Sequence, residues 1–121
     1  MIDNSSGLLW PEHLDALIAA PQHHKLLFEN DFVRVLDTFI PPGESTGMHT
    51  HKWAASLYII SWSDFIRYDN AGNIILDSRN LPKVPSLSSA LWSEPLAPHI
   101  LKNVGENNTH VISIEIKSKS A

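Results

Sequence analysis

From Lys25 onward, apolar residues recur at the spacing of extended chain, with short runs divided by turn-forming residues. Lys25–Glu29 and Phe32–Ile40 read as strands joined at Asn30-Asp31. In the second, Val33, Val35, Leu36, Phe39 and Ile40 put apolar side chains on both faces, the pattern of a strand covered on each side. Pro41-Pro42-Gly43 cannot continue a central strand and Gly47 tolerates a positive φ, so Pro41–Gly47 reads as a turn. If the strand that follows is unbroken to Ser61, then His49, His51, Trp53, Ala55, Leu57 and Ile59 share one face. Ser56 and Tyr58 then point away from the histidines. Asp64–Tyr68 and Ile74–Asp77 flank the polar stretch Asp69–Asn73, which predicts a hairpin loop. Arg79–Ser86 holds Pro82 and Pro85 and reads as a loop into Leu87–Glu94. Pro95 and Pro98 are expected to break that strand before His99, and Thr109–Lys117 forms the last strand. Ser118–Ala121 reads as a frayed tail.

Before Lys25 the period is helical. Trp10–Pro21 predicts one short helix, with Pro11 and Glu12 in its first turn, Leu14, Leu17 and Ile18 on one side and Pro21 as its stop. The chain of 121 residues therefore reads as one all-β domain over 1–121, with a helical appendage at about 10–20 and a barrel or sandwich at about 23–117.

Hydrophobic residues at 43% and charged residues at 18% describe a globular chain with an ordinary core. A net charge of −4 without a basic cluster argues against nucleic acid or an anionic membrane as partner. The absence of cysteine means that any metal must be held by nitrogen and oxygen. The first ten residues lack the basic stretch of a signal peptide and no apolar run approaches the roughly 18 residues of a membrane span, so a cytoplasmic location is expected.

Candidate chemistry starts at His49-Thr50-His51. In an extended strand both rings leave the backbone on the same side, which is chelate geometry. Such a pair is common by chance, and a second element gives it weight: His99, with Asn103 four residues on. Gly43, five residues and His49-Thr50-His51 resemble the first half of cupin motif one, and His99 to Asn103 resembles the end of motif two. Over residues 23 to 117 the chain resembles a small single-domain RmlC-like cupin, and the run from His23 to His51 is similar to the small cupins grouped with beta-alanine degradation proteins.

The resemblance implies a cupin jelly-roll barrel in which His49, His51 and His99 converge on a pocket able to hold a divalent ion such as Fe, Zn, Ni or Mn. It also implies a homodimer paired through its sheets. Three departures stand out: the glutamate of motif one is replaced by Ala55 or Ser56, its closing glycine by Ser61-Trp62-Ser63, and the PxG of motif two by Pro95-Leu96-Ala97-Pro98. A site of three histidines without the glutamate resembles those of some thiol and diketone dioxygenases.

Two functions follow. One is a metal-dependent enzyme acting on a small organic acid or similar molecule. The other is a non-catalytic small-molecule binding or sensor domain without metal. Other residues receive structural readings. His13 reads as solvated, His23 and His24 as surface or edge residues, and His110 as a satisfied core histidine. Asn103 reads as a hydrogen-bonding residue; Trp53 falls on the histidine face, where it could line a pocket, and Trp62 and Trp92 read as core or, if exposed on an outer strand face, as dimer contacts, with core the default for all three. Asp64 and Glu94 lie near strand ends, and no general acid or base is assigned.

Overall fold

The computed structural model describes residues 10–117, so the tail Ser118–Ala121 lies outside the described residues. Nine strands follow in chain order: β1 (His24–Glu29), β2 (Val33–Ile40), β3 (His49–His51), β4 (Ala55–Ser61), β5 (Phe65–Asp69), β6 (Ile74–Asp77), β7 (Ala90–Ser93), β8 (Leu96–Asn103) and β9 (Thr109–Ile116). They form a five-stranded sheet ordered β1-β2-β9-β4-β7 and a four-stranded sheet ordered β3-β8-β5-β6, with antiparallel pairing between neighbours. The expected all-β jelly roll is present. None of the described helices is long and apolar enough to cross a membrane.

Register decides which side chains face inward. β2 pairs with β9 from Val33↔Ile116 to Ile40↔Thr109, so Leu36 lies opposite Ser113 and Arg34 opposite Glu115 on the inner face. Leu36, Ile40 and Ile59 are fully buried there. Ile112, Ile114 and Ile116 lie on the other face, with His110, whose ring bonds Asp37 at 2.8 Å. His110 is thus satisfied as expected, but on the outer face instead of in the core.

Chain direction changes where the histidine strand was expected to run on. β3 belongs to the four-stranded sheet and β4 to the five-stranded one, with the break at Lys52–Ala54. Alternation survives the crossing, since Trp53, Ala55, Leu57 and Ile59 all line the same interior cavity as His49 and His51. Tyr58 is exposed on the opposite side.

The turn that delivers the histidines is tied to β8. Gly43 N–H donates to the Asn103 carbonyl, Asn103 N–H to the Glu44 carbonyl, both at 3.0 Å, and Thr46 N–H to the Leu101 carbonyl at 2.9 Å. Asn103 is wholly buried and uses its whole side chain. Its amide nitrogen donates to the carbonyls of Ile40 and Asn107 at 2.8 Å, and its oxygen accepts from Ser63 Oγ at 2.7 Å and Gly105 N at 3.0 Å.

Several local expectations differ. The single helix at 10–20 is a 3-10 turn (Glu12–Leu14) followed by α1 (Ala16–Ala19). Asp15 divides them, because its carboxylate caps Leu17 N at 3.1 Å and also holds Arg34. Among the glycines described, positive φ falls at Gly43 and Gly72; Gly47 is needed for a close approach, as a Cβ there would sit 2.6 Å from the Ala19 carbonyl oxygen. Pro98 lies inside β8 and does not end it. The register with β3 slips between His49↔His99 and His51↔Leu96, and the pairing with β5 ends at His99, so no ladder bond is asked of Pro98. Trp92 is 60% exposed and Trp62 is half-buried against the cavity, so neither is a core residue.

The bonds of Asn103 give the fold a test. Asn103→Ala strands the Ile40 carbonyl and the Ser63 hydroxyl, both bonded in the interior, and should cost at least about 2 kcal/mol of unfolding free energy in urea, whereas a loss under about 0.5 kcal/mol would contradict this role.

Candidate metal centre

Four histidines meet at one end of the inner space: His24 at the start of β1, His49 and His51 from β3, and His99 from β8. Ring centroids lie 4.9 Å apart for His49 and His51, 4.4 Å for His49 and His99, 4.7 Å for His24 and His49, and 5.4 Å for His24 and His51. His99 is farther from His51, at 5.8 Å. Ring nitrogens of His24, His49 and His51 all fall within 4.8 Å of one another, and these three could hold a metal ion.

Each ring is oriented through Nδ1. His24 Nδ1 donates to the Ala20 carbonyl at 3.0 Å, His49 Nδ1 to Gly47 at 2.7 Å and His99 Nδ1 to Ala97 at 2.7 Å. A carbonyl can only accept, so each of these rings carries its proton on Nδ1 and keeps a lone pair on Nε2. His51 Nδ1 lies 3.1 Å from a Glu115 carboxylate oxygen, which imposes the same orientation. The other Glu115 oxygen accepts from Arg34 Nε at 2.6 Å, and Arg34 is forked to Asp15 at 2.9 and 3.0 Å. Burial raises the Asp15 carboxyl, but the bonds and charge of Arg34 outweigh it and hold the group below its usual value. This network joins the N-terminal turn, β2 and β9 behind His51.

Burial pushes the imidazoles of His24, His49 and His99 down to about 3, with neighbouring rings adding to the effect for each. They are therefore neutral near pH 7, the state in which imidazole binds metal. The donor set fits a divalent ion that accepts nitrogen ligands, and among the described residues the group close enough to share an ion consists of histidines alone. Ala55, where the sequence suggested a missing glutamate, is buried and lines the cavity.

Sequence reasoning placed His23 and His24 at the surface, and both are buried at 6% exposure. His23 bonds Glu44 at 2.8 Å, whereas His24 turns inward opposite Thr38, which also lines the cavity. No motif marks His24; only the pairing of β1 with β2 brings it to the site. His99, expected beside His49 and His51, is 2% exposed and packs against His49, although it stands outside the tightest group of three. The rings open onto a cavity of about 400 Å³ whose remaining wall is mainly apolar, including Trp53, Leu57, Trp62, Phe65 and Val111.

Comparison with solved structures defines the class of fold. A cupin domain from Bordetella pertussis Tohama I is similar with a TM-score of 0.62 and 18% identity, over 78% of this chain and 92% of that one. A protein with a double-stranded beta-helix domain from Klebsiella pneumoniae gives 0.54 at 14% identity, over 81% and 78%. An RmlC-like cupin family protein from Methanocaldococcus jannaschii gives 0.54 at 11%, over 77% of each. No family model matches the sequence, and no curated protein does. The chain has the double-stranded β-helix fold of the RmlC-like cupins.

The lowered histidines predict a pH profile. In the metal-free protein the unfolded chain takes up protons near pH 6.5 while the folded one resists to about 3. Stability should therefore be level above about pH 7 and fall as pH drops below 6.5, by up to about 1.4 kcal/mol per pH unit for each ring. Urea unfolding after EDTA treatment measures this, and a flat profile between pH 7 and 4 would contradict the buried neutral rings.

Proposed function

We propose that this chain is a metal-dependent cupin enzyme acting on a small organic molecule. The ion is held by His49, His51 and His99, the set implied by the cupin motifs, together with His24, which brings a fourth nitrogen to the place of the missing carboxylate. One observation carries the reading: three buried rings and the partly buried His51 have Nδ1 tied to an oxygen, leaving their Nε2 atoms for the cavity. None of these Nε2 atoms is among the buried atoms closed off without a partner, so the lone pairs are open to an ion that enters the cavity. A bound divalent ion would supply a Lewis acid that polarises a substrate oxygen or activates water, or, as iron, dioxygen chemistry.

The chain's own residues fix the rings, exclude water with an apolar wall and leave the cavity open to a substrate. Glu115 holds His51 and is itself engaged by Arg34. Glu94, at the mouth, accepts from Trp92 Nε1 at 2.7 Å. Both carboxylates of the wall are thus occupied, which favours chemistry centred on the ion; it is also the observation that favours the second reading, a binding or sensor cupin without catalysis.

The homodimer belongs to the same proposal. Phe39, Tyr58, Ile114 and Ile116 are exposed on the outer face of the five-stranded sheet, where a second copy would cover them. Sedimentation at micromolar concentration should give a dimer, and monomer alone would remove that part.

Metal analysis of protein purified without a histidine tag, followed by zinc titration calorimetry, tests the centre. One ion per chain is expected, with binding lost in His49→Ala and His51→Ala. His24→Ala and His99→Ala should each weaken it by about tenfold or more, by analogy with what loss of a supporting group costs a metal site. Unchanged zinc binding in all four variants would reject the site, and absence of any binding in the wild type would leave the metal-free binding domain.

A further inference from the structure

Five buried side-chain polar atoms lack a hydrogen-bond partner among the described residues: Arg67 Nε, Trp62 Nε1, Thr109 Oγ1, Ser113 Oγ and His23 Nδ1. All but the last belong to residues that line the histidine cavity. A fold that satisfies Asn103 completely and pairs Arg34 with two carboxylates leaves these atoms unpartnered in one place.

Arg67 matters most among them. The chain has three arginines. Arg34 is paired with Asp15 and Glu115, and Arg79 with Asp77, while among the described residues Arg67 has no carboxylate within ion-pair distance. Among the described residues it is the one lysine or arginine in the cavity wall. Its guanidinium carbon lies 5.6 Å from the centroid of the Phe65 ring. Burial pushes the guanidinium down from its ordinary value without a counter-charge to offset it.

Register places this cation relative to the rings. On β5, Arg67 pairs with Leu101 of β8, and two residues on Asp69 pairs with His99. Arg67 and His99 are thus diagonal cross-strand neighbours, their backbones separated by roughly 7–8 Å. A small molecule docked on one can reach the other.

The geometry points to a carboxylate as the group that Arg67 receives: the cavity takes a small organic acid, its carboxylate forked on the guanidinium, its apolar body on the wall and its far end at the histidines. This rests on the small-molecule reading of the same cavity and adds to it the class of ligand, its orientation and the residue that selects it. Guanidinium matches a carboxylate with two parallel hydrogen bonds, and an uncharged amide of the same shape offers no charge to pair. Arg67 is a specificity residue here; it takes no part in bond making.

The test is calorimetric titration of phenylacetate against phenylacetamide, and butyrate against butyramide, into the protein as purified and after EDTA treatment. Each acid should bind about tenfold to a hundredfold more tightly than its amide in both forms. In Arg67→Met the preference should vanish, while the unfolding midpoint stays level or rises because an uncompensated buried charge is gone. Equal binding of acid and amide in both pairs, no binding of any probe, or a preference that survives in Arg67→Met would overturn the assignment. A lowered midpoint in Arg67→Met would overturn it too, by making the guanidinium structural. Zinc titration of the same samples separates the two claims: acid preference without zinc binding removes the metal centre alone, and zinc binding without acid preference removes the carboxylate site alone.

Discussion

His24, His49 and His99 share one buried pocket as uncharged rings, because burial and the neighbouring imidazoles both oppose a positive charge there. Everything near the site serves that constraint. Three rings give their Nδ1 protons to backbone carbonyls of Ala20, Gly47 and Ala97, and each carbonyl sits two or four residues before its histidine in the same chain segment. The fourth ring, His51, uses a carboxylate that is itself neutralised by Arg34. The arrangement fixes orientation and tautomer together, so Nε2 is the free atom in each case.

The same constraint explains the surroundings. Arg34, clamped by Asp15 and Glu115, joins the N-terminal turn to the five-stranded sheet, so the turn supports the site as well as covering the barrel. Asn103 holds the segment that delivers His49 and His51 against β8, the strand that carries His99. Asn103 and Arg34 are thus fully engaged, whereas Arg67, Trp62, Thr109 and Ser113, residues of the cavity wall, each keep a polar atom without a partner. That contrast divides residues that build the pocket from residues available to what enters it.

The architecture was legible in the sequence because alternation along β2, β4 and β9 and the proline and glycine turns are local signals. His49 and His51 were legible for the same reason, with two residues on one strand face, and His99 through its spacing to Asn103. His24 was not: its place depends on β1 lying beside β2, and that pairing leaves no mark on the residues around it. Asp15 carried a helix-compatible pattern on both sides, yet its carboxylate caps a new turn and holds Arg34, a tertiary demand that local periodicity does not contain. Pro98 looked like a strand breaker because its tolerance depends on a slipped register with β3. Arg67 carries no local signal within its strand, and its want of a partner shows only when the walls around it are assembled.

The central claim is that four rings, each tied through Nδ1, present Nε2 to one ion. Nitrogen-15 correlation spectra of the histidine rings at pH 7 test it most directly, recorded on metal-free protein and after one equivalent of zinc. The account predicts that His24, His49 and His99 show the Nδ1-protonated neutral tautomer, and that zinc shifts the Nε2 signals of these three rings and of His51 and of no other histidine. Protonation of His24, His49 or His99 at Nε2, or Nε2 signals that ignore zinc, would contradict it.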